Sequence, residues 1–375
     1  MTRVLVAPDK FKGSLSAVEV AEAVRRGLWA GAADTASLEV RCLPVADGGD
    51  GTLASAVAAG FELVPARATG PTGEPVGTGW ARHGDTAVVE MADVSGLVRL
   101  PEGRLQPLTA TSRGTGELIA QALDAGVDRI VLGIGGSACT DGGAGMLQAL
   151  GIRLLDASGD ELPPGGGALA AIDRLDPSEL HPRLSDVEIV VACDVDNPLT
   201  GPTGAAATYG PQKGAGPDDV VALDRNLARF ADLVAASCGR DDRDVPGAGA
   251  AGGVGFAAVS LMGARLQPGI DLMLDLLDFD RHVRGSDLVV IGEGSLDSQS
   301  LHGKAPVGVA RRARAAGATV VAVCGVSSLE PDDLTGVGIT AVHALADLEA
   351  DPATSMREAA RLLEELAATE LVSHL

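Results

Sequence analysis

The chain has 375 residues, 46% of them hydrophobic and 21% charged, the make-up of an ordinary globular protein at a length that predicts two domains. A net charge of −22 counts against nucleic acid and anionic membrane as partners, because both are polyanions. The opening MTRVLVAPDK is too short an apolar run for a signal peptide and no stretch is long enough to cross a bilayer, which together predict a cytoplasmic protein.

In chain order, residues 3–7 (RVLVA) predict a short buried strand. A helix follows, opened by the capping box Ser16-x-x-Glu19 and carrying Val20, Val24 and Leu28 on one face. Residues 38–45 read as a second strand. From 62 to 92, apolar residues alternate with Gly/Pro turns, which predicts antiparallel hairpins rather than crossover units. A helix near 115–125, a strand at 129–134, a glycine loop and a helix from 142 come next. Strands are predicted at 189–193, 287–292 and 319–325, the last two joined by a helix at 305–316 into a β-α-β unit. Ser355-x-x-Glu358 is predicted to cap a final amphipathic helix. The alternation at both chain ends implies a Rossmann-like, three-layer parallel α/β domain made of residues 1–65 plus 285–375. The hairpin-rich middle, residues 66–284, implies a second α/β domain inserted into it.

Five cysteines (Cys42, Cys139, Cys193, Cys238, Cys324) form no CxxC pair, which argues against a disulfide framework or a structural zinc site. Cys193 and Cys324 end strand-like runs and read as small buried residues. The basic residues are more telling: there are 25 arginines and only four lysines, Lys10, Lys12, Lys213 and Lys304. All four lie in glycine-rich, turn-like segments. Arginine replaces lysine freely on a solvated surface, but not where a compact ammonium must reach one oxygen in a tight pocket.

Five places share one design, an apolar strand followed by glycine, aspartate and hydroxyl residues, the third combining segments 109–119 and 133–146, and ligands collect at such carboxyl ends in open α/β sheets. In VAPDKFKGSLSA (6–17), Lys10 and Lys12 sit just before a helix N-terminus, a good anion site. In PVADGGDGTLAS (44–55), three glycines hold Asp47 and Asp50 where a metal or a substrate hydroxyl can approach. In TATSRGTGELI (109–119), Ser112, Thr115 and the amides opening the helix suit a carboxylate or phosphate, with Arg113 adding charge.

GIGGSACTDGGAGM (133–146) carries Ser137 and Asp141. Its Gly133-x-Gly135-x-x-Ala138 imitates a dinucleotide fingerprint, with Asp156 placed as the ribose-binding acid, so a nicotinamide-dependent oxidoreductase is the runner-up. The loop is longer and more polar than a tight pyrophosphate turn. In VVACDVDNPLTG (190–201), Asp194 and Asp196 suit magnesium, and Lys213 follows in YGPQKG. The same Asp-x-Asp resembles the nucleophile of haloacid-dehalogenase-like phosphatases, but Asn197-Pro198 breaks that pattern. GEGSLDSQSLHGKAP (292–306) places Gly292, Glu293, Ser295 and Asp297 in a loop ending at Lys304, a P-loop in logic without its register. His302 beside it reads as a surface residue. PGAGAAGGVGF (246–256) fits a nucleotide-approach loop and a close packing contact equally well. A nucleotide- or metabolite-sensing module is a third, non-enzymatic class.

Taken together, PDKFKGSLSA, DGGDGT, TSRGTGELI, GGSACTDGGAGM, ACDVDNPLTG, YGPQKGA, GAGAAGG and GEGSLDSQSLHGKAP resemble, in order, the motif series of the type-1 glycerate kinase family, from residue 4 to about residue 325. The resemblance implies ATP-dependent phosphorylation of D-glycerate with Mg2+, giving 2-phosphoglycerate or, less often, 3-phosphoglycerate. It also implies a two-domain α/β architecture with the active site in the interdomain cleft. On this reading the chemistry is expected from Lys10, Lys12, Asp47, Asp194 and Lys213, with Asp47, Asp50, Asp141 and Asp194 all eligible as the base, and glycerate binding from Asp50, Ser112, Arg113, Ser137 and Asp141. Nucleotide binding falls to Gly292, Glu293, Ser295, Asp297 and Lys304, and the metal to Asp194 and Asp196. On this reading, replacing Lys10 or Lys213 by Met removes turnover and leaves the thermal melt nearly unchanged.

Overall fold

The computed structural model describes residues 1–298, 300–301 and 305–375. Contacts gather the chain into two compact units. Met1–Asp47, Ala54–Gly60 and Ile270–Leu375 form the first, and Gly48–Leu53 with Phe61–Gly269 the second.

The strand runs of the first unit, VLVA, LVVI and VVAVC, are apolar at every position rather than at alternate ones. That is what a parallel sheet covered on both faces requires. Five parallel strands form it, in the order Ala341–Ala344, Thr319–Ser327, Leu288–Leu296, Thr2–Pro8 and Leu38–Cys42. Successive residues enter opposite cores. Leu5, Val289 and Ile291 pack with Val309, Ala310 and Ala313 of helix Ala305–Ala315 on one face. Val4, Val6, Val290 and Val321 pack with Val20, Val24 and Leu28 of helix Ala17–Gly31 on the other.

That helix starts where the sequence predicts. The Ser16 hydroxyl accepts from the Glu19 N–H at 3.3 Å, and the Glu19 carboxylate accepts from the Ser16 N–H at 2.8 Å. It also lies unusually close to helix Ala359–Thr369, because a Cβ on Gly27 or Gly31 would overlap the backbone carbonyl of Glu364 or Ala368.

Two expectations are corrected here. Ser355 is no helix cap: it is buried inside the short helix Pro352–Arg357, which Asp351 caps by accepting from the Thr354 N–H at 2.9 Å. Asp351-Pro352 supplies both a capping oxygen and a residue preset for the first helical turn, and so outcompetes the later serine. Glu293 and Ser295, expected in a loop, lie on strand Leu288–Leu296, which pairs with its neighbour as far as Ser327.

The second unit carries a six-stranded sheet in the order Arg265–Gln267, Glu188–Ala192, Arg129–Gly133, Thr86–Glu90, Pro75–His83 and Glu62–Thr69. The first four strands are parallel, and the last two add as the predicted antiparallel hairpins. The residues 246–256 make a packing contact. Ala251, Gly252 and Gly253 have positive φ at the start of helix Ala250–Met262, and a Cβ on Gly252 would overlap the Cys139 carbonyl oxygen. Cys324 is buried as expected, whereas Cys193 is half-buried; all five cysteines are free thiols.

Gly252→Ala is therefore expected to destabilise the protein by about 2–4 kcal/mol, through left-handed strain plus overpacking. Gly159→Ala, at a φ of +88° with open space around it, should cost only about 1 kcal/mol. Urea unfolding of the two variants checks the difference.

Candidate active site

In the second unit, the acidic glycine loop Gly48–Leu53 lies across the carboxyl ends of three parallel strands. A Cβ on Gly48 would overlap that of Ala192, one on Gly133 would come within 2.7 Å of the Gly48 carbonyl oxygen, and one on Gly135 within 2.6 Å of the Gly49 Cα. The Gly135 N–H donates to the Gly48 carbonyl at 3.2 Å. Beneath the loop, Glu90 ends strand Thr86–Glu90 with only 4% of its surface exposed. It accepts from the Gly51 N–H at 3.2 Å and from the Leu53 N–H at 2.8 Å. Burial raises its pKa to about 7; the two amide bonds oppose the shift, and Asp50 and Asp93 add to it. Asp50 itself is exposed.

Ser112 and Asp141 come together, but the chain uses them on itself. The fully buried Asp141 accepts from the Ser112 N–H and hydroxyl, both at 2.8 Å, and from the Gly145 N–H at 3.2 Å and the Gly143 N–H at 3.1 Å. The Ser112 hydroxyl accepts in turn from the Met146 N–H at 2.9 Å. An internal carboxylate thus occupies the N-terminus of helix Arg113–Asp124, where the sequence suggests a ligand anion. Thr115 is likewise buried, donating to the Ser95 hydroxyl at 3.1 Å. Arg113 is half-exposed and donates to Glu117 at 3.1 Å.

Lys213 and Ser137 also meet. The Lys213 ammonium, 2% exposed, donates to the Ser137 hydroxyl at 2.8 Å and to the Cys139 carbonyl at 2.6 Å. Burial pushes its pKa down, against the pull of Cys139 and Asp141. The same burial pushes the Cys139 thiol well up. Asp194 and Asp196 lie exposed in the segment after strand Glu188–Ala192, with Asp194 accepting from the Gly269 N–H at 2.7 Å.

In the first unit, the carboxyl ends of strands Thr2–Pro8 and Leu288–Leu296 bring together Asp9, Lys10, Asp47 and Glu293. Asp9 is buried. Its N–H donates to the Gly292 carbonyl at 2.8 Å, and its carboxylate accepts from the Lys10 N–H at 2.6 Å and lies 3.6 Å from the Lys10 ammonium. Burial raises its pKa to about 7 against Lys10, with Asp47 and Glu293 pushing the same way. Lys12 is exposed in the tight turn from Phe11 to Leu15. The buried Ser300 hydroxyl donates to Glu293 at 2.7 Å and accepts from the Asp297 N–H at 3.3 Å. Ser295 is exposed. Lys304 and His302 lie outside the described residues.

Sequence reading passed over Glu90, Ser300 and the role of Asp9. The available signal was an acid closing an apolar strand, TAVVE or VLVAPD, where burial is the default. The dinucleotide reading loses its footing. Ten residues separate Gly133 from helix Ala144–Ala149, and Asp156 closes a turn by accepting from the Ser158 and Asp160 N–H groups.

The family model described as the glycerate kinase family matches residues 4–373. Glycerate kinase of Bacillus subtilis (strain 168) is 47% identical over 371 residues, which is 97% of this chain and 96% of its own. Glycerate 2-kinase of Escherichia coli (strain K12) is 47% identical over 347 residues, 92% of this chain and 88% of its own. The chain belongs to the glycerate kinase family. A crystal structure of a glycerate kinase 2 from Salmonella typhimurium LT2 shares the fold with a TM-score of 0.83 at 42% identity, over 99% of this chain and 98% of that one.

This member of the glycerate kinase family is thus an enzyme, and among its described lysines Lys213 is buried whereas Lys12 is exposed. Lys213 holds a loop inside the second unit, so its replacement reaches the fold as well as any chemistry. Lys213→Met is expected to lower the unfolding free energy by about 2–4 kcal/mol, since Ser137 and the Cys139 carbonyl lose their donor. Denaturant unfolding measures it.

Proposed function

We propose that the enzyme transfers the γ-phosphoryl group of ATP to a hydroxyl of D-glycerate, giving 2-phosphoglycerate, with 3-phosphoglycerate the less favoured product. Family membership supports glycerate as acceptor, and the observation that carries the phosphoryl chemistry is the Asp9–Lys10–Asp47–Glu293 cluster at the strand ends of the first unit. Phosphoryl transfer needs in-line positioning, charge neutralisation and a group to take the hydroxyl proton.

In this reading Lys10 and Lys12 neutralise transferring and non-bridging phosphate oxygens. Asp9 holds the Lys10 ammonium in place, and Asp47 accepts the proton of the attacking hydroxyl. Gly292, Glu293, Ser295 and Asp297, with Lys304 beyond them, take the nucleotide. Asp50, Arg113 and Ser137 belong to the glycerate side. Ser112, Asp141 and Lys213 position the loops that carry it: Ser112 and Asp141 serve one another, and the Lys213 ammonium serves Ser137 and the Cys139 carbonyl.

Among the described residues no group of three or more His, Cys, Asp or Glu side chains is arranged to hold a metal ion. Magnesium asks for less: one or two carboxylates, with water and phosphate oxygens completing its shell. The exposed pair Asp194 and Asp196 fits that donor set. Bound there, Mg2+ would offset charge on the phosphate oxygens. No described helix is long and apolar enough to cross a membrane, and we place the enzyme in the cytoplasm, where ATP is available.

ADP release measured with a coupled assay should depend on D-glycerate, and a phosphorus NMR spectrum of the product should show the ester at carbon 2. Absence of glycerate-dependent ADP release overturns the proposal. Lys10→Met and Asp47→Asn should each lower kcat by about 10²–10⁴-fold while the thermal melt stays nearly unchanged. Full activity in either variant removes that residue from the mechanism.

A further inference from the structure

We propose that Glu90 is a positioning residue that makes the seating of the acidic glycine loop Gly48–Leu53 depend on one proton. The geometry carries the argument. The Glu90 carboxyl closes the end of its strand, and the loop backbone covers it, one oxygen accepting from Gly51 and the other from Leu53. With 4% of the residue exposed, lifting the loop is what would return this carboxyl to water.

The charged groups facing it are acids. Asp50 lies on the loop, and Asp93 lies on the short helix Ala92–Ser95, where it is held by Arg99 and by the Thr78 hydroxyl at 2.7 Å. Two amide donors therefore stand against desolvation and two like charges, and the balance leaves the seated carboxyl with a pKa of about 7. Once the loop lifts, the carboxyl returns toward its ordinary value of about 4.3.

The sign follows from linkage. A folded pKa raised above the solvated one means that the seated loop binds the proton more tightly than the lifted loop does. The seating preference due to the proton is fully present below about 4.3, declines as pH rises, and is gone above about 7. Near neutral pH the loop stands at the end of that decline. Asp50, exposed on the same loop, then moves with it. Between about pH 4.3 and pH 7, binding of a ligand that requires the seated loop is coupled to uptake of a proton by Glu90. This last step rests on the proposed assignment of Asp50 to the glycerate side; the seating of the loop does not.

Amide hydrogen exchange of residues 49–53 in the full chain tests the seating directly. Protection factors, corrected for intrinsic rates, should fall about 40-fold between pH 5 and pH 7 and level off above it. In Glu90→Gln, an uncharged side chain of the same shape, they should be flat over that range. A wild-type profile that is also flat, or a Glu90→Gln profile that falls as the wild type does, overturns the proposal. Glu90→Ala, which removes both acceptors, provides a second check: exchange at 51 and 53 should be fast at every pH while the rest of the sheet stays protected.

The kinetic counterpart is a KM for D-glycerate that rises from pH 6 to pH 8 in the wild type and stays level in Glu90→Gln, with kcat changing less than KM. Loss of the exchange signature refutes the Glu90 latch. Retention of that signature without glycerate-dependent turnover refutes the assigned reaction instead.

Discussion

The acidic loop of the second unit depends on a backbone running directly over the ends of three strands, with no side chain between them. Gly48 sits where a Cβ would overlap Ala192, and Gly133 and Gly135 leave the matching space on the next strand. Because glycine alone permits that approach at a φ of +88°, the loop carrying Asp50 can reach down to the strand ends and donate its amides to Glu90. A parallel sheet places all its strand ends on one edge, so a single such loop spans several of them at once. The acidic loop, the Ser137–Asp141 segment and Asp194 then share that edge of the unit.

Four buried ionisable groups show how the protein distributes its electrostatics. Asp141 is fully buried and surrounded by four donors, and Lys213 is nearly as buried, with two acceptors at hydrogen-bond distance and Asp141 as its neighbouring anion. These two act as cross-links that tie loops to helix starts. Asp9 and Glu90 are compensated less fully: each is buried beside further acids, and each has a pKa of about 7. A buried group that is fully satisfied builds structure, whereas one left near its titration point can exchange a proton with solvent or substrate. The chain places one of each kind of carboxylate in the second unit, and its Asp9 in the first.

Much of the fold was legible in the order of residues because the deciding forces are local. The capping box at Ser16 and Glu19 needs only four residues, and the helix face of Val20, Val24 and Leu28 follows from its period. The antiparallel hairpins between residues 62 and 90 announce themselves by alternation and turn residues. Local signals failed where two of them competed, as when Asp351-Pro352 took the helix start from Ser355. They also failed where a neighbour far along the chain prolonged an element, as when Thr319–Ser327 carried strand pairing out past Glu293.

The chemistry divides the same way. Sequence by itself determined which kinds of groups the glycine-rich segments carry, sparse lysines and several glycine-held aspartates, because those residue types and their turn-forming neighbours are written contiguously. Only the tertiary structure decided which of these groups face solvent and which are consumed as internal partners. Ser112 with Asp141 and Lys213 with Ser137 are separated by 29 and 76 residues, and a charge becomes a cross-link or a reactive group according to what packs around it. Burial, and with it the pKa of Asp9 and Glu90, belongs to the assembled strand ends and not to any segment of the chain.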